Sequence, residues 1–130
     1  MSISKGVKTK NLETGHLGEQ IAKKYLQNKG YYIVEENYRT KYAEIDLVAR
    51  NKGILVFIEV RTRRGEQFTS PEDSINRDKI RKLIRNAEAY VVRKKYRKKY
   101  RIDAVCVVLN KDKRASRVDH YTNITFEIYT

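Results

Sequence analysis

The 130-residue sequence predicts an α/β fold, a mixed sheet flanked by helices. Three observations carry that prediction. A helical period opens the chain, three strand-like segments follow it closely, and a second helical period leads into the apolar run from Ile102 to Leu109. A three-strand meander joined through a crossover helix to a further strand needs antiparallel and parallel pairing in one sheet, with helices on its faces.

The first helix is expected from Thr14 to Lys29. Leu17, Ile21 and Tyr25 recur every fourth residue, Ala22 and Leu26 widen their stripe, and Gly30 suits a stop. Residues 1–11 read as a flexible basic arm outside that period. Tyr31 to Tyr38, rich in aromatic and β-branched residues, reads as a strand. Ala43 to Arg50 and Ile54 to Thr62 read as two more, joined at Asn51-Lys52-Gly53 in a hairpin. A loop from Arg63 to Ser70 precedes the second helix, whose start is open between Pro71, Ser74 and Asn76. Its apolar stripe is Ile80, Leu83, Ile84, Ala87 and Val91. Ile102 to Leu109 fits a central strand covered on both faces, with Cys106 as a buried core thiol. Arg117 to Tyr129 reads as one or two edge strands. No repeat or linker divides the chain, so residues 1–130 are expected to form a single domain.

Composition narrows the function. Hydrophobic residues make up 40% of the chain, enough for a globular core. No apolar run approaches the roughly 20 residues of a membrane span, and no signal-peptide segment opens the chain, so a cytoplasmic location without membrane partners is expected. The formal net charge is +13. The segment from Arg77 to Arg101 holds twelve basic and two acidic residues, a net +10. Lys79, Arg81, Lys82 and Arg85 lie off the apolar stripe, and the helix runs out through Arg93, Lys94, Lys95, Tyr96, Arg97, Lys98 and Lys99. Such a stripe is either a solvated face or the electrostatic footprint of a nucleic-acid binder. Its density favours nucleic acid, with Lys79, Lys82, Arg85 and residues 93–99 as the contact set. Tyr96 and Tyr100 either stack on unpaired bases or pack against the sheet.

The chemistry is expected on the hairpin. With a two-residue turn at Lys52-Gly53, Asp46 falls opposite Glu59 and Glu44 opposite Arg61, all four on one face. Opposed carboxylates about 5 Å apart repel, and they suit a hard divalent cation, since Mg²⁺ is held by one or two carboxylates plus water and phosphate oxygens. The alternative is an open sheet face where Asp46 and Glu59 meet solvent and Arg61 pairs with Glu44, or a one-residue slip that separates the acids. Glu59 closes the apolar run from Ile54 to Ile58, where a carboxylate needs a partner. Glu19, beside Gly18 on the first helix, could reach the sheet edge. His16 and His120 are isolated and read as surface or capping residues.

Gly18-Glu19 on the opening helix, Glu44-Ile45-Asp46, the segment from Phe57 to Arg63, and Asp103 ahead of an apolar strand together resemble the YraN-type family of bacterial proteins. That family is similar to restriction-endonuclease-like nucleases and archaeal Holliday-junction resolvases. The resemblance implies their core of helix, three-strand meander, helix and strand. It implies that Asp46 and Glu59 hold Mg²⁺ or Mn²⁺, that Glu19 is an accessory acid, and that Arg61 stands where the superfamily carries a water-activating Lys. Arg cannot shed a proton there but can clamp a phosphate through its fork. The implied activity is structure-directed endonucleolytic cleavage of nucleic acid, with DNA as the expected partner, in repair or recombination, with a homodimer by analogy to resolvases. A catalytically silent nucleic-acid-binding or assembly module of the same fold is the alternative.

Overall fold

The computed structural model describes residues 2–65 and 70–125, with side chains from residue 12 onward. Helix α1 spans Ser2–Asn28, and strands β1 (Tyr32–Arg39), β2 (Glu44–Asn51) and β3 (Ile54–Arg64) form the meander. A short 3-10 helix, Pro71–Ser74, leads into α2 (Arg77–Arg93), followed by β4 (Tyr100–Leu109) and β5 (Ala115–Tyr121). The sheet order is β1-β2-β3-β4-β5, with β3 and β4 parallel and every other pair antiparallel. The order helix, three strands, helix, strand is that of the restriction-endonuclease-like core.

Each helix covers one face. Under α1, Ala22 and Leu26 are fully buried against Leu47, Val56, Ile58, Val105 and Val107. Under α2, Ala87 and Tyr90 pack on Val48, Leu55, Phe57 and Ile102. The deepest line of α1 is Gly18, Ala22 and Leu26 rather than Leu17, Ile21 and Tyr25, which flank it. The helix begins at Ser2, not Thr14, so residues 2–11, expected as an arm, continue it. Apolar periodicity marks only the part of a helix that touches a sheet.

The hairpin turn is as expected. Asn51 pairs with Ile54, and Lys52 and Gly53 both take positive φ (53° and 79°), the backbone of a type I′ turn. Of the three candidate starts for α2, Asn76 is the cap: its side chain accepts the backbone N–H of Lys79 at 2.9 Å. Pro71 and Ser74 belong to the 3-10 turn instead. The tail forms one edge strand through Tyr121, and the end of the expected tail, residues 126–129, lies outside the described residues. Cys106 is buried, and burial pushes its thiol up to about 12. Among the described residues no helix is long and apolar enough to cross a membrane.

Candidate active site

The site begins with a close approach. A Cβ built on Gly18 would overlap Thr62 Oγ1 and sit 2.8 Å from Thr62 Cβ, so only glycine lets α1 lie this near β3. The next residue, Glu19, is thereby carried to the meander, where its Oε1 accepts Asn37 Nδ2 at 2.7 Å. Asn37 takes φ 50°, a left-handed conformation that Asn tolerates better than most side chains. Its Nδ2 also donates to Glu44 Oε1 at 2.9 Å.

Asn37 marks a level where strand alternation fails in both β1 and β2. Glu36 reaches α1 through Lys23 and Gln20, yet Tyr38, two residues on, packs on the α2 side. In β2, Ile45 packs on the α2 side and Leu47 on the α1 side. Asp46 sits at that switch. The β2–β3 ladder follows the expected register from Asn51↔Ile54 to Leu47↔Ile58. Beyond it, Asp46 Oδ2 accepts the backbone N–H of Val60 at 2.8 Å. Burial, then the nearby Glu59 carboxylate and more weakly Glu19, push the Asp46 carboxyl up to about 8. Burial and the neighbouring charge thus favour the protonated form of Asp46 near neutral pH.

Glu59 is 5% exposed and faces the α2 side. Two cations from two directions meet its Oε2: Arg61 Nη1 at 3.3 Å and Lys79 Nζ at 3.2 Å. Arg61 is oriented by Ser74, whose Oγ accepts Nε at 2.7 Å while donating to the Pro71 carbonyl. The expected Glu44–Arg61 pair does not form. Glu44 bonds instead to Asn37 and, at 3.4 Å, to Arg39, because the ladder that would align it with Arg61 gives way at Asp46.

The structure thus brings Asp46, Glu59 and Arg61 together, with Glu19 near Asp46 from α1. It adds Lys79, expected only as a phosphate contact, Ser74, expected only as a candidate helix cap, and Asn37, which the strand pattern did not single out. Among the described residues no group of three or more His, Cys, Asp or Glu is arranged to hold a metal ion unaided. Asp46 and Glu59 still fit a two-carboxylate site for a hard cation whose other ligands are water and phosphate. The fit rests on Asp46, a carboxyl raised first by burial and then by the Glu59 carboxylate beside it: a divalent cation would let both acids ionise.

Asp103 lies elsewhere, on the α1 face at the start of β4. It is fully buried, and Arg101 grips it at 2.9 and 3.1 Å, with His120 Nε2 at 2.8 Å and the Asn123 N–H at 2.9 Å. Burial alone would raise its carboxyl, but the bonds from His120 and Arg101 outweigh that and hold it below the usual range. His120 is therefore a buried partner of Asp103, not the surface or capping residue expected from its isolation in the sequence.

Against known proteins, the model of a family described as "Uncharacterised protein family UPF0102" matches residues 18–107, well over half the chain. The chain belongs to this family. A UPF0102 protein of Clostridium botulinum strain 657 is 42% identical over 102 residues, covering 77% of this chain and 83% of the relative. A UPF0102 protein of Alkaliphilus metalliredigens is 40% identical over 113 residues, covering 86% of this chain and 96% of the relative. The stretch matched by the family model opens at Gly18 and takes in Glu19, Asp46, Glu59, Arg61 and Lys79, but leaves out β5.

The basic surface continues from the site along α2. Lys82 pairs with Asp78 at 3.4 Å. Arg93, Lys95, Arg97, Lys98 and Lys99 are exposed. Lys94 folds back, 5.2 Å over the Tyr38 ring and 3.9 Å from Glu35. Tyr96 packs on the α2-side core, and its hydroxyl donates to the Lys99 carbonyl at 2.7 Å. Tyr100 sets an edge-on contact with Phe57. Arg85 lies 5.5 Å from the ring of Tyr42, an exposed aromatic absent from the sequence-based contact set. A larger cleft of about 710 Å³, between Leu17, Arg64 and Lys113, shares no residue with the carboxylates.

Proposed function

We propose that the protein is a Mg²⁺- or Mn²⁺-dependent endonuclease that acts on structured DNA in repair or recombination. The observation that carries this reading is the Asp46–Glu59 pair, one acid buried with its carboxyl raised and the other met by Lys79 and Arg61, at the head of the most basic helix. A bound divalent cation would supply Lewis-acid stabilisation of the phosphodiester and a more acidic water. Asp46 and Glu59 are the residues that would hold it, with Glu19 as an accessory acid whose charge is felt at Asp46. Arg61, its Nε fixed by Ser74, offers guanidinium donors to a phosphate oxygen. Lys79 brings to the site the ammonium that the Arg61 position lacks. The remaining cations of α2 and residues 93–99 supply the phosphate contacts.

The test is cleavage of branched, nicked and single-stranded oligonucleotides with and without Mg²⁺ or Mn²⁺, for the parent, Glu59→Gln and Lys79→Ala. Metal-dependent cutting that is abolished in Glu59→Gln and reduced at least tenfold in Lys79→Ala is expected. A second reading rests on the same contacts: Glu59, already balanced by Lys79 and Arg61, would be a structural ion cluster in a silent binding module. Nucleic-acid binding without cutting on any of these substrates, in either metal, selects that reading.

A further inference from the structure

Between the β1–β2 turn and α2 lies a second cleft, of about 460 Å³, within the roughly 300–1,000 Å³ range of small-ligand sites. We propose that it receives an unpaired nucleotide, with the base stacked on Tyr42 and the flanking phosphate on Arg85 and Lys41. The inference rests on the nucleic-acid reading of the basic surface, and not on metal or cleavage.

Four observations support it. Tyr42 is half exposed at the cleft wall, presenting a ring to solvent. Two cations stand over that ring, Lys41 Nζ at 5.2 Å and Arg85 at 5.5 Å from its centroid. Aromatic rings interleaved with Lys and Arg are how single-strand binders hold bases without reading sequence. The lining carries Lys41, Arg85 and Arg93 against the one acid Glu88, a net charge that suits a phosphate. The backbone that carries the ring is also fixed. The Tyr42 N–H donates to Thr40 Oγ1 at 3.1 Å, and Thr40 Oγ1 in turn bonds to Asn86 Oδ1 on α2.

Asn86 ties this cleft to the carboxylates. Its side chain is buried, and it lines a small void together with Glu59. Along α2, Arg85 stands six residues beyond Lys79, about 9 Å of helix axis at 1.5 Å per residue. A nucleic-acid strand rising about 3.4 Å per nucleotide covers that distance in two or three steps. A nucleotide lodged at Tyr42 would therefore place a phosphate a few positions away beside Glu59. That arrangement selects a bulge, flap or junction over continuous duplex.

The experiment measures binding in the presence of a chelator, using two probes. One is a duplex with a single unpaired fluorescent purine analogue, and the other is the same duplex fully paired. The parent should bind the bulged duplex more tightly and quench its fluorophore. Tyr42→Ala should weaken bulged binding roughly tenfold while leaving the paired duplex within about twofold, and Tyr42→Phe should restore the parent's preference. Should Tyr42→Ala unfold, Tyr42→Leu keeps apolar bulk without the ring face and is expected to lose the preference too. A parent that binds both duplexes alike, a Tyr42→Ala that loses both equally, or a Tyr42→Phe that fails like Tyr42→Ala overturns this inference alone. A parent that binds neither overturns the nucleic-acid reading and this inference with it.

Discussion

Gly18 sets how closely α1 approaches the sheet, and so whether Glu19 reaches the site. Helix propensity alone favours Ala over Gly by about 1 kcal/mol. The overlap with Thr62 opposes that, and overpacking of this kind costs about 1–3 kcal/mol. Gly18→Ala is expected to lower stability in urea titration, and Thr62→Ala in the same chain to recover most of the loss; an unchanged or stabilised Gly18→Ala would mean that α1 slides freely. Asp46 makes a pH prediction. Its folded-state value, about 8, stands above the ordinary 3.8, so the folded chain holds this proton more tightly than the unfolded one. The stabilisation that the proton confers is complete below about pH 4 and is lost as pH rises through 8. Asp46→Asn keeps the neutral form and an oxygen for the Val60 N–H. Its stability relative to the parent should grow between about pH 4 and pH 8 in metal-free buffer and level off above that, and parallel profiles would sink the assignment.

Among the elements, α2 joins the carboxylate site to the basic surface. Lys94 lies over Tyr38 and Tyr90 and near Glu35, so it serves the fold as well as any phosphate. Replacing Lys94, Lys95, Lys98 and Lys99 by Ala should therefore shallow the log–log salt dependence of duplex binding by about three phosphate contacts, near 2.7 units, rather than four. Fluorescence anisotropy across a salt series reads this directly, and an unchanged slope would remove residues 94–99 from the interface. The elements were largely legible in the sequence because turn chemistry and apolar period are local: Lys52-Gly53 announced its own turn, and Ile80 to Val91 its own face. The site was legible only in part. Pairing by register presumes an unbroken pleat, and the left-handed Asn37 with the switch at Asp46 breaks it, so Glu44 never meets Arg61. Lys79 beside Glu59, and His120 beside Asp103, are contacts between elements, and no spacing along the chain announces them.

Across the whole molecule, the layering of α1, sheet and α2 makes the site a meeting of separate pieces. Glu19 comes from α1, Asp46 and Glu59 from the hairpin, and the cations from β3 and α2. Because no three acids among the described residues are arranged to hold a metal unaided, Mg²⁺ and oligonucleotide should stabilise the protein cooperatively. In thermal unfolding the joint shift should exceed the sum of the separate shifts in the parent, and be merely additive in Glu59→Gln; additivity in the parent would leave the acids without a metal role. The parallel pairing of β3 with β4 has a consequence for biogenesis. Leu55 is partnered by Tyr100, and everything between them must be synthesised before the two can dock. As the chain leaves the ribosome, the meander can close on neighbouring residues, yet the β3 flank from Leu55 to Val60 stays an open apolar edge, the kind of surface on which nascent chains stick to one another. Until β4 arrives, Glu59 on that flank is a charged interruption in an otherwise adhesive strand, and the acid proposed for chemistry in the finished protein guards the unfinished one against association.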